Sequence, residues 1–432
     1  MALAFRGRVA VTLVGRGVTV ALGLASSVMT ARTLGPEGRG VLATLSVQTG
    51  LSLQFGNPGL HTGNVYFVSK QPHRTAGVLG NTLIVSLVAG CLAAGVAVAL
   101  AALRPGWFPG IPRPLILLTA AVLPFQFMIL LYQNTLLGLQ EVAAFNLFEV
   151  GNKILTVALL AAWLLLLGGG APGAVVLFSA MAVLFGTASA LYCARRVPFR
   201  PRFDGALFAE MIRYGARVYV ACLLAFLVIR SDMLLVNYFR GTAEAGVYSI
   251  AVQIADTLLL LPVTIGMILM PRIAGDQGER PEEITARVLR HTALLMTLLV
   301  GAAAAVVAPV VRLLYGHGFE GAILTTWCLL PGVWALGLNG VLMNHFSARG
   351  MPPVTMAAPF VGLVLNVALN VAIVPRFGIA GAALTSSAAY AIMLGFSLAA
   401  FLRDGRVGWR RTLLLGREEV RGLLGQARPQ GA

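Results

Sequence analysis

The sequence predicts an all-α integral membrane protein with about twelve transmembrane helices. Of its 432 residues, 58% are hydrophobic and only 11% are charged, so a water-soluble globule of this size could not bury its apolar surface. Apolar windows of about 20 residues, the length that spans a bilayer as a helix, recur between short polar connections. These windows lack the strict alternation of a lipid-exposed barrel strand, which favours helices over a barrel.

Twelve apolar windows define the predicted spans. The first follows Arg6 and Arg8, as the apolar core of a secretory signal peptide would, but Arg16 interrupts it and further spans follow, so we expect it to be retained. In chain order the windows are 9–31, 40–69, 77–103, 114–138, 143–167, 173–194, 214–236, 244–270, 290–314, 321–346, 354–374 and 380–402.

Two short motifs recur at a nearly constant offset and indicate an internal repeat. Residues 35–41 after span 1 and 241–247 after span 7 both read G-x4-G-V, at an offset of 206 residues. Residues 170–174 before span 6 and 378–382 before span 12 both read G-x2-G-A, at an offset of 208. Because the matches fall in equivalent connections, we expect two six-helix bundles related by pseudo-two-fold symmetry, with a substrate path between them.

The basic residues of the connections predict the orientation. Cytoplasmic connections carry an excess of Lys and Arg, so the richer side is assigned to the cytoplasm and both termini lie there. That side holds Arg6, Arg8, Lys70, Arg74, Arg195, Arg196, Arg200, Arg202, Arg213, Arg272, Arg280, Arg287, Arg290, Arg349 and the arginines of the tail, whereas the other holds Arg32, Arg39, Arg104, Arg113, Arg240 and Arg376.

The predicted domains are an N-terminal six-helix bundle over 1–203, a C-terminal six-helix bundle over 204–403 and a basic cytoplasmic tail over 404–432. The tail mixes leucines with arginines, which would suit either a helix on the inner leaflet or a disordered basic segment. The net charge of +16 is spread over connections rather than gathered on a soluble domain. Nucleic acid is therefore not expected as a partner.

No metal or cofactor site is expected. The four cysteines are scattered in or beside apolar windows without a CxxC pair, which indicates packing residues rather than a disulfide framework or zinc site. His61 and His345 are isolated histidines with no ligand-like companions.

Four ionisable residues inside spans are candidate substrate-binding residues. Such residues cost about 2.5–3.5 kcal/mol each on insertion scales and usually face a bundle interior or a wet cavity. Glu149 and Lys153 lie four apart on one face of span 5, where they could form a local ion pair or offer Lys153 to an anionic head group. Arg16, roughly 10 Å inside the membrane, could bind a phosphate or snorkel to the interface. Asp256 could exchange a proton or pair with Arg16.

Two other charged residues and one interrupted span are given structural interpretations. Arg230 and Asp232 are expected to be anchors near the outer end of span 7. In span 2, Gln54, Asn57 and Pro58 interrupt an otherwise apolar helix beside two glycines. Proline bends helices, and irregular backbone at membrane depth survives only within protein or beside water. These three residues predict a hinge or cavity lining, with close helix packing as the alternative.

Four segments carry a family resemblance over nearly the whole chain. Residues 31–40 resemble an AR-x-LGPEG-x-G turn, and residues 54–71 a glycine-punctuated end of span 2. Residues 230–249 resemble a D-x-LL…AG-x-YS pattern, and residues 366–383 an N…L-x-LIP-x-(F/Y)G-x-x-GAA pattern. Together they resemble the polysaccharide-biosynthesis flippases, of the O-antigen or oligosaccharide lipid translocase type, in the multidrug/oligosaccharidyl-lipid/polysaccharide exporter superfamily.

The resemblance implies a non-enzymatic transporter in the inner membrane. It implies two lobes around a central, often cationic cavity that binds an undecaprenyl-pyrophosphate-linked glycan and works by alternating access. The implied partners are this lipid-linked glycan, membrane lipid and other polysaccharide assembly proteins. The chain departs from strongly cationic family members because it has few buried basic groups.

Three alternatives are weighed against a flippase. A multidrug or cation exporter of the same superfamily would be expected to carry an acidic cluster in the N-terminal spans, where only Glu149 lies. A membrane glycosyltransferase or polymerase would need catalytic carboxylates and usually a large outer loop, but the outer connections are short and poor in Asp and Glu. A non-transporting scaffold would not need the charged residues inside spans.

Overall fold

The fold is described from a computed structural model. It describes residues 2–274, 280–403, 408 and 412, without the side chains of residues 2–14, 16, 217, 268, 270–272 and 274. The predicted membrane-surface helix of the tail falls almost entirely outside this range.

Every regular element in the described part of the chain is helical, which confirms the all-α prediction. Short π-helical turns extend α6 to Leu166 and α9 to Tyr315. The helices are α1 (Ala2–Gly56), α2 (Leu60–Lys70), α3 (Thr75–Leu103), α4 (Arg113–Ala121), α5 (Leu123–Gly138), α6 (Val142–Ala161), α7 (Ala171–Arg196), α8 (Gly205–Ala274), α9 (Pro281–Val310), α10 (Gly321–Ala348) and α11 (Val354–Arg403).

Three of the long helices are each broken by one glycine. Gly35 in α1, Gly241 in α8 and Gly378 in α11 have φ of 66°, 82° and 61°, in the left-handed region that glycine adopts without steric cost. Nine stretches of the described chain are long and apolar enough to cross a membrane, and three of them contain one of these breaks. Counting both arms of each broken stretch gives twelve crossings, which confirms the predicted number.

Three of the five buried apolar clusters in the described chain have their buried members within one half, whereas the other two join residues of both halves. The buried members of the largest apolar cluster all lie between Val228 and Phe401, whereas those of two further clusters lie within residues 41–193. Each half therefore packs much of its apolar interior against itself. The exact boundary between residues 203 and 204 stays a prediction.

The two G-x4-G-V turns pack directly against each other, and their contacts are reciprocal. A Cβ built on Gly40 would lie 1.8 Å from the carbonyl oxygen of Thr242, and one built on Gly246 would lie 1.9 Å from that of Pro36. Thr242 and Gly246 are the counterparts of Pro36 and Gly40 at the offset of 206. Reciprocal contacts between equivalent residues are the signature of a two-fold relation, so the pseudo-two-fold axis passes between the two turns.

A second reciprocal pair supports the same axis. A Cβ on Gly110 would lie 2.8 Å from the Thr242 hydroxyl oxygen, and one on Gly318 would lie 3.5 Å from Pro36 Cγ. The G-x2-G-A motifs are less exactly equivalent. Gly378 has a positive φ in the second half, but in the first half the nearby glycine with a positive φ is Gly168 rather than Gly170.

Candidate functional site

A cavity of about 550 Å³ lies between the two halves, next to the paired turns. Both arms of α1 and both arms of α8 form most of its wall, and α6 and α7 each contribute a side chain. Its polar and charged lining residues are Thr19, Ser26, Ser27, Thr30, Arg39, Ser46, Lys153, Arg230, Ser249, Gln253, Asp256 and Thr257. The cavity therefore occupies the position that the repeat predicted for a substrate path.

Arg39 is the charged lining residue that belongs to one of the paired turns. Its guanidinium donates hydrogen bonds to the hydroxyls of Ser27, Thr30 and Ser249 at 3.1, 3.0 and 3.1 Å, which joins both arms of α1 to α8. Among the ion pairs formed by described residues, none involves Arg39. Its charge is therefore held by neutral hydroxyls in the cavity wall.

The sequence-based assignment of Arg39 to an outer connection is wrong. The chain turns at Gly35, and the second arm of α1 is already helical from Pro36 onward. Arg39 thus lies in the first turn of that arm and faces the cavity instead of preceding a helix that starts at residue 40. Proline is favoured in the first turn of a helix, so Pro36 after Gly35 was the signal for this earlier start.

Lys153 lines the cavity from α6, and it also lines a second, adjoining pocket. That pocket, of about 430 Å³, lies entirely within the N-terminal half and contains Glu149. No ion pair joins Glu149 and Lys153 in the described structure. The local neutralisation considered for them is therefore not formed, and Lys153 adds a second positive charge without a carboxylate partner.

Asp256 also lines the cavity, but its partner differs from the expected one. Its carboxylate accepts a 2.8 Å ion-pair contact from Arg230 on the other arm of α8. Arg230 is thus a cavity residue rather than only an anchor near the membrane surface. Arg16 lies on α1 one turn before Thr19, and its side chain is outside the described residues. Because Arg230 and Asp256 offset each other, Arg39 and Lys153 make the described lining cationic.

Asp232 is a buried anchor beside the cavity. The residue is 2% exposed. Its carboxylate accepts hydrogen bonds from the Tyr248 hydroxyl at 2.5 Å, the Ser386 hydroxyl at 3.0 Å and the Met233 amide at 2.7 Å. Ser386 in turn accepts a hydrogen bond from Asn366 at 3.1 Å. This network connects both arms of α8 with α11 inside the C-terminal half.

Removing the Asp232 carboxylate should destabilise the C-terminal half. Asp232→Ala leaves two buried hydroxyls without their acceptor, and each unsatisfied buried group costs about 1–3 kcal/mol. We expect a lower thermal unfolding midpoint in detergent, with a smaller decrease for Asp232→Asn. Glu283→Ala, at an exposed acid of α9, is the control. An unchanged midpoint for Asp232→Ala would show that the network does not stabilise the fold.

The interruption of span 2 lies at residues 57–59, between α1 and α2. The Asn57 amide contacts Nδ1 of His61 at 2.8 Å. Gln54, Asn57 and Pro58 lie outside the lining of the central cavity, and Pro58 instead lines an apolar groove of about 390 Å³. Their role as a hinge stays a prediction.

Within the described part of the chain, no three His, Cys, Asp or Glu side chains are grouped as metal ligands. Chemically, the cavity offers hydroxyl groups, one neutralised ion pair and two unpaired cations. Such a lining suits an anionic group that carries polar substituents.

Comparisons with known proteins match this architecture. Residues 6–275 match the family model described as "Polysaccharide biosynthesis protein". The chain is 22% identical over 202 residues to "Uncharacterized membrane protein MJ1068" of Methanocaldococcus jannaschii and 26% identical over 163 residues to "Probable flippase AglR" of Haloferax volcanii. These matches cover 45% and 36% of this chain and span 40% and 34% of the relatives' lengths.

Two solved structures share the fold. One is the lipid II flippase MurJ in an inward closed conformation, with a TM-score of 0.74 at 13% identity over 91% of this chain and 87% of the other. The second is a multidrug resistance MATE family transporter of the MOP superfamily in an inward-facing conformation. Its TM-score is 0.74 at 14% identity over 89% of this chain and 94% of the other.

Proposed function

Because this chain belongs to the polysaccharide biosynthesis protein family, we propose that it is a flippase for an oligosaccharide linked to undecaprenyl pyrophosphate. It moves this substrate across the inner membrane for surface polysaccharide biosynthesis, with both termini in the cytoplasm. Other polysaccharide assembly proteins are its expected partners. The chain acts as a transporter rather than an enzyme and needs no cofactor.

The unpaired cations of the interlobe cavity carry this proposal. A pyrophosphate needs positive charge and directed donors, which a guanidinium supplies as a planar fork and an ammonium as a point charge. Arg39 and Lys153 supply one of each in a single cavity. Because a diphosphate bound there would be neutralised and partly desolvated together with its ligands, it could cross a membrane whose core excludes isolated charges.

Alternating access follows from the paired turns. In this conformation, residues 36–40 and 242–246 close one end of the cavity by backbone contact. Rocking of the two six-helix bundles would part these turns and open that end, while the undecaprenyl chain stays in the bilayer. The substrate would then move with its head group in the cavity and its tail in lipid.

A multidrug exporter is the second candidate because a MATE transporter matches the fold with the same TM-score as MurJ. The cavity charge favours the flippase, because a cationic drug would meet Arg39 and Lys153 without a free carboxylate in the same lining. Glu149 is the acidic side chain of the adjoining pocket and is the group on which an exporter would have to rely.

Reconstitution tests the proposal directly. Liposomes that contain the protein receive a fluorescent undecaprenyl-pyrophosphate oligosaccharide, and transfer between leaflets is followed by quenching from outside. Transfer above that of protein-free vesicles is the expected result. Transport of a drug cation without lipid transfer would instead establish the exporter.

Loss of the predicted cations should stop this transfer. We expect Arg16→Ala and Lys153→Ala to abolish transfer while membrane insertion is preserved, because each removes positive charge available to the pyrophosphate. The measurement is the same liposome assay at equal protein content. Lys70→Ala, at an exposed lysine of α2, is the control. Full transfer by the Arg16→Ala/Lys153→Ala double variant would contradict the proposed role.

A further inference from the structure

The second pocket, within the N-terminal half, differs from the central cavity in its charges, because it has one acidic and one basic lining residue where the cavity has one acidic and three basic ones. It is lined by the polar side chains of Thr19, Ser46, Thr49, Thr119, Gln126, Glu149, Asn152, Lys153, Thr156 and Ser179. Most of these polar groups are hydroxyls and amides, which include both donors and acceptors. Its volume of about 430 Å³ lies in the range of roughly 300–1,000 Å³ that is usual for small-molecule sites.

Among the described residues, two of these side chains and the amide group of a third have no hydrogen-bond or ion-pair partner. The Asn152 carbonyl oxygen accepts a hydrogen bond from Thr156 at 3.1 Å, but its amide group has no acceptor among the described residues. Gln126 and Glu149 likewise form no hydrogen bond or ion pair in the described structure. Polar groups at membrane depth are costly unless they are hydrogen-bonded, so these three require water or a ligand.

The pocket adjoins the cationic cavity. Thr19, Leu42, Ser46, Lys153 and Phe178 line both, so a ligand held at Lys153 can extend into the pocket past an aromatic ring. The carboxylate of Glu149 disfavours a second phosphate there, whereas it accepts hydrogen bonds from hydroxyl groups. A neutral occupant that is rich in hydroxyl and amide groups and joined to an anion at Lys153 would fit this lining.

We propose that this pocket binds the neutral sugar units next to the pyrophosphate and so selects the glycan. This inference rests on the proposed flippase function. All its lining residues lie between Thr19 and Ala182, and both unpaired cations, Arg39 and Lys153, belong to the same half. The N-terminal half thus carries the whole head group, while the C-terminal half moves relative to it.

The test separates sugar recognition from phosphate recognition. The probe is fluorescent undecaprenyl-pyrophosphate disaccharide with N-acetylglucosamine next to the phosphate, and the competitor is undecaprenyl pyrophosphate without sugar. Gln126→Leu and Asn152→Leu should raise the half-saturating probe concentration about five- to tenfold each, the loss expected for one or two neutral hydrogen bonds. Both should leave the inhibition constant of the sugar-free competitor unchanged. Arg39→Ala should raise that inhibition constant.

Matched variants control for folding. Asn134 shares α5 with Gln126 but donates to the Leu130 carbonyl at 2.7 Å, and Asn134→Leu should change neither constant. Thr49→Val removes one pocket hydroxyl at constant shape and keeps the test informative if a leucine variant fails to fold. Equal changes in both constants, or no change in either, would overturn the sugar pocket. Absence of transfer by the unmodified protein would instead overturn the flippase function.

Discussion

Replacing Arg39 with alanine is expected to reduce transfer of the lipid-linked probe by about 100-fold. Arg39 has no carboxylate partner among the described residues and is held by three hydroxyls. The Arg39 guanidinium can therefore reorient to bind a phosphate without breaking an ion pair. Hydrogen bonds to charged groups contribute about 1.5–3 kcal/mol each, and about 2.8 kcal/mol corresponds to 100-fold. Initial transfer rates in liposomes, at equal reconstituted protein, measure the effect.

Two further variants show whether the loss reflects phosphate binding. Arg39→Lys keeps the charge but loses the bidentate fork, so it should retain an intermediate rate. Arg104→Ala removes an exposed arginine from a connection that was assigned to the same side and should leave transfer unchanged. Thermal unfolding checks that the lost contacts to Ser27, Thr30 and Ser249 do not unfold the protein. Undiminished transfer by Arg39→Ala would remove the main support for the cationic cavity.

Most of the fold could be predicted from the sequence because the bilayer fixes the length of each helix. Apolar windows of about 20 residues locate the crossings, and the three glycine breaks at 35, 241 and 378 fall between predicted spans. The repeat also predicted the two-fold relation. It could not show that the axis passes between the two turns, because a sequence repeat shows which residues correspond but not whether they lie close together.

The cavity was only partly predictable. Lys153 and Asp256 were identified because charged residues inside spans are costly and therefore informative. Arg39 was missed because a hydropathy window places a charged first turn outside the helix. The Arg230–Asp256 pair was missed because it joins two antiparallel arms of α8, and spacing along one helix identifies only neighbours on that helix.

The N-terminal pocket shows a further limit of sequence-based prediction. Glu149 and Lys153 mark one face of span 5, and that face does line the pocket. The opposite wall contains Gln126 on α5 and Thr49 on α1, which are polar residues within membrane-spanning helices. Single polar residues of this kind are common in membrane helices, where they also bond neighbouring helices. Only the packing of the five helices that line the pocket, α1, α4, α5, α6 and α7, distinguishes a shared pocket from separate contacts.

The paired turns predict a second large effect, because Gly40→Ala should prevent closure of this end of the cavity. The added Cβ would lie 1.8 Å from the Thr242 carbonyl oxygen and 2.9 Å from the Gly246 amide nitrogen, and neither backbone atom can move away alone. The variant should therefore populate conformations in which the turns are apart. Spin labels at Glu37 and Ala243, two exposed and equivalent positions, should report a longer distance, and transfer should fall because the cycle needs both states.

The reciprocal geometry provides an internal check on this prediction. Gly246→Ala places its Cβ against the Pro36 carbonyl oxygen at 1.9 Å, so both variants should produce the same shift in distance. Gly151→Ala adds a methyl group to α6 with no atom within 4 Å, and it should change neither distance nor transfer. Alanine is favoured over glycine within helices by about 1 kcal/mol. Any loss of transfer in the two turn variants would therefore occur despite a gain in helix propensity. A short label distance with normal transfer in Gly40→Ala would show that the turns need not pack this closely during transport.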